Sequence, residues 1–480
     1  MFLYFLPHSF LSTKGIILET QKFRTDEEQH DYLAQFQINP KRAMFTIILS
    51  IFVDSLGYVM VMPLLPGIAK GLGASDLLYG LLISSNAVMI LIFGPIWGKF
   101  SDKYGRKPLL IISQIGTGIA FFTLIFSDSI LIILIGRLID GMFSGQMPIV
   151  RAYISDITTP QTRASHLGKI MAGFTSSMII GPFIGGVLGF YNWRFPMIFA
   201  CLVTIISIIF TKTLLVESMP KERIQEMKIQ NQLKQESSED TKGILNKEIG
   251  LRFVEIFILS LISMIFSTSF SLVLFNRYYA NAFIIGTIMA FSAGFVMIYG
   301  LFFMKKLIMR IGERKMFFFG MGIFIAIFLI YPYLEELWMI YVLMIPYGFS
   351  SASIGPLISS NITKAIGPDK QGELGGWTTN LSAVSQTISP LISTGFLQLG
   401  GWTIGAIFIN SYQLIGFTNA ILGISLVGIV FLDIKRYPYL YSYEKFRKKH
   451  IEDLKEKKKA EKLKKKAEKQ ERNLSEKAQI

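Results

Sequence analysis

Twelve apolar stretches of about twenty residues, parted by polar turns, constrain this chain more than any other feature. Hydrocarbon offers a backbone no hydrogen-bond partner, so a segment crossing it must close its own bonds as a helix. With a core about 30 Å thick and a rise of about 1.5 Å per residue, about 20 residues span it. Charged residues are 17% of the chain, below the quarter or so of soluble domains, and they cluster between the apolar stretches. The stretches predict spans near 43–67, 78–98, 109–127, 130–153, 164–190 and 195–215. Six more follow near 251–275, 281–304, 314–333, 337–360, 373–399 and 410–432. The fold class is therefore an all-α integral membrane protein with about 12 transmembrane helices. Residues 1–42 read as an arm, 43–216 as six helices, 217–250 as a flexible Lys-, Glu-, Gln- and Ser-rich linker, 251–433 as six more helices, and 434–480 as a basic tail.

Loop charge sets the orientation. The 2–3 loop carries Lys99, Lys103, Arg106 and Lys107; the 8–9 loop carries Lys305, Lys306, Arg310, Arg314 and Lys315. The opposite loops hold Lys70, Arg194 and Arg277. Both termini are thus expected in the cytoplasm, with the plasma membrane and an endolysosomal membrane both open. The net charge of +15 does not imply nucleic acid, because from Lys435 onward 17 Lys or Arg stand against 8 Asp or Glu. Such a tail suits an anionic lipid surface. Met1–Ile17 lacks the basic start and small-residue cleavage site of a signal peptide, so it reads as a cytosolic arm. Cys201 is the only cysteine and the four histidines are scattered, so no disulfide, metal site or redox pair is expected. Without a P-loop or a nucleophile motif, neither a cofactor nor an enzyme activity is expected.

The halves repeat. Gly105 and Gly312, Gly141 and Gly348, and Gly168 and Gly375 are each 207 residues apart; Pro182 and Pro390 are 208 apart. Six crossings return the chain to its starting side, so the repeats run in the same direction.

Four strings carry the chemistry. The first is Gly98-Lys-Phe-Ser-Asp102-Lys-Tyr-Gly105-Arg106-Lys107 in the 2–3 loop. Its glycines allow close approach and a tight turn, and Asp102 can pair with Arg106 as a latch. The second half keeps Gly312 and Arg314 but places Met309 where Asp102 would repeat. In span 4, Arg137, Asp140, Gly141, Ser144 and Pro148 step by three and four residues along one helix face. Charges inside a bilayer cost about 2.5–3.5 kcal/mol each on insertion scales and default to function. Asp140 could simply neutralise Arg137, or Arg137 could serve solute or proton coupling. Span 5 carries Gly173 and then Gly181-Pro182-Phe-Ile-Gly185-Gly186, small residues that pack closely and a proline that bends. In span 1, Asp54 precedes Gly57 and Tyr58. A carboxyl group held away from water exchanges its proton closer to neutrality than a free one. Asp54 is thus either a proton carrier or a capped structural acid.

These strings resemble the major facilitator superfamily, and in particular its drug:proton antiporter branch of tetracycline-efflux-like proteins and their eukaryotic relatives. The resemblance covers most of residues 43–433. It implies two six-helix bundles and a proton-coupled antiporter that moves a small organic solute by alternating access as a monomer. Gly98, Asp102, Gly105, Arg106 and Lys107 would then gate. Gly173, Gly181, Pro182, Gly185 and Gly186 would form the antiporter motif, and Asp54, Arg137 and Asp140 would serve coupling. The partners implied are the solute, protons and the lipid bilayer, and no nucleic acid. A uniporter or symporter of sugars or organic anions, or a transporter-like channel or sensor, is the alternative.

Asn86, Gln146, Asn380, Gln386 and Gln413 lie inside predicted spans, as interhelical glue or solute ligands. Arg252 and Glu255 open span 7 and are expected at the interface. Phe302, Phe303, Phe317, Phe318 and Phe319 are expected to face lipid. Tyr437–Leu440 and Tyr443–Phe446 resemble tyrosine-based sorting signals, and Asn361-Ile-Thr and Asn473-Leu-Ser are glycosylation strings that the expected topology places on the cytoplasmic side, away from glycosylation.

Overall fold

A computed structural model describes residues 26–220, 222, 224–225, 247–366, 371–404 and 407–437. Most of the tail, including the second sorting string and Asn473, lies outside these residues, as do much of the arm and linker.

Helix α1 (Asp26–Gln35) precedes α2 (Pro40–Val61). Asn39 caps α2 by accepting hydrogen bonds from the Lys41 and Arg42 amides, and Pro40 takes the first helical position, where no amide is needed. A short α3 (Leu65–Gly71) follows, then α4 (Asp76–Tyr104), α5 (Arg106–Ile125), α6 (Ile130–Phe143), α7 (Gln146–Ile157), α8 (Pro160–Tyr191) and α9 (Arg194–Leu214). The second half runs through α10 (Lys247–Tyr278), α11 (Ala282–Ile298), a π-turn at Tyr299–Phe303, α12 (Met304–Ile311) and α13 (Glu313–Ile330). It continues with α14 (Leu337–Ala365), α15 (Gln371–Leu399), strands β1 (Gly401–Ile404) and β2 (Ile407–Asn410), and α16 (Ser411–Arg436). Among the described residues, eleven helices or joined helices are long and apolar enough to cross a membrane. Helix α15 matches them in length and packs against α10 and α4, but it is too polar to count with them.

The repeat is visible in the backbone. Gly105 and Gly312 both end one helix and begin the next with positive φ, 98° and 83°, a conformation that favours glycine. Gly141 brings α6 onto the Asn86 carbonyl of α4, and Gly348 brings α14 onto Phe295 of α11. The loops after α4, α7, α9, α12 and α14 share one end of the molecule, here the basic face. At the opposite, far face the halves meet closely. Gly186 of α8 meets Ala282, Phe283 and Gly286 of α11, while Gly80 and Ser84 of α4 meet Pro390, Thr394 and Thr387 of α15. Asp76 accepts hydrogen bonds from Asn276 and pairs with Lys70, and its amide donates to Gln398. Toward the basic face, a Cβ on Gly94, Gly98, Gly168, Gly294 or Gly376 would have nothing within 4 Å.

Several expectations are corrected. Span 1 ends at Val61 rather than near residue 67, with Pro63 and Pro66 flanking the turn into α3. Span 4 is not one helix. Pro148 cannot donate to the Ser144 carbonyl and its ring crowds that position, so the chain breaks at Ser144–Gly145 and Pro148 leaves the face of Arg137. The hairpin Gly401–Asn410 precedes the last span, and Gln413 completes a capping box with Asn410 rather than bridging helices. Arg252 and Glu255 are not interfacial but fully buried, and Phe317 is buried while Phe302, Phe303 and Phe319 are exposed. Asn361 is buried within α14, out of reach of a glycosylating enzyme.

Gly98 and Gly185 separate conformational from packing roles. A Cβ at Gly185 would collide with the Met60 carbonyl of α2, whereas one at Gly98 meets open space. Thermal unfolding in detergent should show Gly185→Ala losing about 1–3 kcal/mol of stability. Gly98→Ala should be neutral or gain up to about 1 kcal/mol from helix propensity.

Candidate functional site

The break in span 4 shapes the site. It frees carbonyls that lipid cannot satisfy, and neighbouring helices supply the donors. Trp97 Nε1 of α4 donates to the Met142 carbonyl at 2.7 Å, and Ser113 Oγ of α5 donates to that of Phe143 at 2.5 Å. Gly145 is required here, since a Cβ would enter the Trp97 ring.

Above the break lies a buried charge cluster. Arg137 is fully buried and pairs with Asp140 at 3.3 Å, one helical turn away. Asn86 Nδ2 donates to the Asp140 carboxylate at 2.9 Å and to the Arg137 carbonyl at 3.3 Å. The guanidinium lies 5.1 Å from the Tyr58 ring, within cation–π range, and its Nε and Nη2 have no hydrogen-bond partner.

Below the break, the released turn aims Gln146 at span 1. Gln146 Nε2 donates to Asp54 Oδ1 at 2.8 Å, and Thr117 Oγ1 donates to the same oxygen at 3.4 Å. Ser50 donates to Gln146 Oε1 at 3.0 Å, and Gln114 Nε2 lies within 3.0 Å of Ser50, Ser207 and Thr211 hydroxyls. This network joins α2, α5, α7 and α9. Asp54 is half-buried while its partners Gln146 and Thr117 are buried. Tyr58 stands one turn from Asp54 on α2, so that helix touches both clusters.

Asn86, Arg137 and Asp140 thus form one cluster and Asp54 and Gln146 another, on either side of the break in span 4. Asn380 and Gln386 on α15 form no part of this network; Asn380 is exposed and Gln386 half-buried. Ser50, Gln114, Thr117, Ser207 and Thr211 were missed. Gln114, an amide inside a span, was the available signal, while single hydroxyls carry none.

The Asp102–Arg106 pair that the spacing of the 2–3 loop suggested is present. Arg106, nearly buried, contacts Asp102 at 2.6 Å and Asp156 at 3.1 Å. Glu217, an unpredicted participant, accepts from the Arg106 and Lys107 amides at 2.8 and 2.9 Å and so caps α5. Helix α1 adds to it, with Gln29 donating to the Asp156 carbonyl and Tyr32 to that of Ser218. The second half keeps a latch with the charges exchanged: Glu313 follows Gly312 and accepts from Lys364 at 2.8 and 2.9 Å. In the span 5 string, Gly173 approaches Ile48, Gly181 approaches Leu56 and Val59, Gly185 meets Met60 and Gly186 meets α11. The helix continues unbroken through Pro182, so this string packs helices rather than interrupting one. Between the halves, Arg151 of α7 donates to the Gly375 carbonyl at 3.2 Å and Thr379 Oγ1 at 2.9 Å on α15.

A nearly all-helical chain with eleven apolar spans among the described residues, built as two repeated and packed halves, has the architecture of a membrane transporter. The chain matches the family model Major Facilitator Superfamily over residues 47–390 and again over 253–461 and belongs to that family. The tetracycline resistance protein, class H, of Pasteurella multocida is 27% identical over 355 residues, covering 73% of this chain and 88% of that protein. The quinolone resistance protein NorA of Staphylococcus aureus is 25% identical over 402 residues, covering 82% and 97%. Among solved structures, the human organic anion transporter MFSD10 (TETRAN) superposes with a TM-score of 0.60 at 20% identity, covering 82% and 99%. A bacterial homologue of the human lysosomal transporter Spinster, in an inward-facing and occupied conformation, gives 0.63 at 12% identity, covering 84% and 98%.

Removing one side of the Arg137–Asp140 pair should cost far more than removing both. Asp140→Leu leaves a buried guanidinium without its carboxylate, at about 3–5 kcal/mol. Unfolding midpoints should therefore fall in the single variant and recover substantially in Arg137→Leu/Asp140→Leu.

Proposed function

We propose that this chain exports a small amphiphilic organic solute in exchange for protons. The observation that carries the reading is Asp54, a half-buried carboxylate that faces the Gln146 amide at the break of span 4 and lies one turn from the aromatic ring covering Arg137. A membrane-embedded carboxylate beside a buried cation is a proton relay by default. Asp54 would bind the proton and release Gln146 as its charge is lost. Arg137 and Asp140 would set the field around it. The latch of Asp102, Gly105, Arg106 and Lys107 would hold the first bundle as one body, with residues 43–216 and 251–433 as the two bundles and the linker between them.

The charge bias of the loops favours the basic face as cytoplasmic. On that assignment, the far-face contacts would close the outer side, and Arg151 would hold α7 to α15 toward the inner side. Tetracycline and quinolone resistance among the relatives makes such compounds the first solutes to try. In sealed liposomes with an internal pH dye and an imposed pH gradient, tetracycline or a quinolone should drive proton movement that is abolished in Asp54→Asn. Saturable solute flux without proton movement would replace this reading with uniport. No flux across tetracyclines, quinolones, organic anions and sugars would favour a channel or sensor.

A further inference from the structure

One buried acid has no role in the mechanism above. Glu255 stands in the third turn of α10, fully buried, and neither carboxyl oxygen has a hydrogen-bond partner. Arg252, one turn earlier on the same helix, is also buried and pairs with Asp433 Oδ1 of α16 at 3.3 Å. Its guanidinium lies 5.0 Å from the Tyr437 ring, and its Nε has no partner. Two carboxyl groups on adjacent helices thus flank one guanidinium, and both Arg252 and Asp433 act electrostatically on Glu255. A carboxylate without hydrogen bonds in an apolar interior is costly; the neutral acid is not.

Among the described residues, the other elements packed on α10 bring the following titratable and charged groups. Helix α15 contributes Glu373 at its exposed start and otherwise no ionisable side chain among its described residues. Helix α14 contributes Lys364, held by Glu313, and the tyrosines Tyr341 and Tyr347. On α16, Lys435 and Arg436 follow Asp433 in the last turn. Where α10 meets α3 and α4, the charged groups are Lys70 and Asp76, near Asn276. That is 21 residues along the helix from Glu255, or about 30 Å. The apolar layer of Ile249, Phe253, Ile362, Ile366 and Leu374 forms a separate core cluster around the first turns of α10.

We propose that Glu255 is a second proton-binding site, located in the second bundle and worked by exchange of Arg252 between two carboxyl groups. While Arg252 pairs with Asp433, Glu255 holds its proton. When the guanidinium turns to Glu255, the carboxyl O–H bond breaks and the carboxylate remains against Arg252, while Asp433, left by the guanidinium, takes up the proton and exchanges it with water at the basic face. The i, i+3 spacing lets the side chain make this turn while the helix stays intact. Glu255 begins about 12 Å from the start of α10, a short path to that face. The exchange ties the tilt of α10 against α16 to protonation, as Asp54 ties span 1 to span 4.

The proposal rests on the proton-coupled reading, but its test does not require transport. Infrared difference spectra of the purified protein in lipid vesicles, stepped from about pH 5 to about pH 9, report protonated carboxyl groups directly. A protonated-carboxyl band present in the wild type and in Asp54→Asn should be missing in Glu255→Gln. It should also vanish in Asp433→Asn, where Glu255 is left as the carboxylate facing Arg252. Spectra of Glu255→Gln that match the wild type overturn the assignment. If that variant does not fold, an unchanged band in Asp433→Asn overturns it instead. Absence of solute-driven proton movement with the band intact counts against the function reading and leaves this site standing.

Discussion

A guanidinium buried in a membrane helix must be paired, and the first half of this molecule is arranged around doing so for Arg137. Asp140 neutralises it, but Asp140 then needs a donor, which Asn86 supplies from α4. Asn86 reaches only because Gly141 lets α6 lie against its backbone. The Asn86 amide also takes the Arg137 carbonyl, so one side chain fixes both the charge pair and the spacing of two helices. Where span 4 then breaks, Trp97 and Ser113 replace the lost helical bonds. The break is thus built into the packing, and it turns Gln146 toward Asp54.

The two latches show what the repeat preserves. Position after position, the halves keep the left-handed turn glycine and an ion pair linking the helix after it to the next span. Arg106 and Asp156 hold the first, Glu313 and Lys364 the second, with signs reversed. Electrostatic attraction does not depend on which partner carries which sign, so the geometry survives the swap. The surroundings do not survive it. Arg106 has a second carboxylate in Asp102, and Glu217 caps the helix behind it. The first bundle is therefore tied to the linker and to α1.

How much of this was legible in the sequence depends on range. Span number, the repeat and the fold class follow from apolar length and glycine spacing, which are local properties. The Asp102–Arg106 pair was legible because its members are four residues apart on one helix. The partner of Arg106 in Asp156 was not, being fifty residues away. Glu313–Lys364 was not legible for a different reason: its signs are exchanged relative to Arg106–Asp156, so the repeat carries no identical residues there. The break in span 4 was readable from Pro148, but the regular polar spacing up to it suggested one continuous face. Burial of Arg252 and Glu255 was hidden because a charge near a span end is ordinarily at the interface, and only packing by α14, α15 and α16 places them inside.

The short helix α7 is where chemistry and motion can meet. It begins with Gln146, bound to Asp54, and five residues later carries Arg151, bound to α15 of the other bundle. Five residues are about one and a half turns, so a rotation that brings Gln146 away from a neutral Asp54 also moves Arg151 off Gly375 and Thr379. The break at Ser144–Gly145 permits that rotation without disturbing Arg137 and Asp140, which lie on the other side of it. A continuous span 4 would force the buried ion pair to turn as well, and the cost of exposing it would oppose the change. On the proton-coupled reading, the broken helix therefore separates the part of span 4 that must stay fixed from the part that must move.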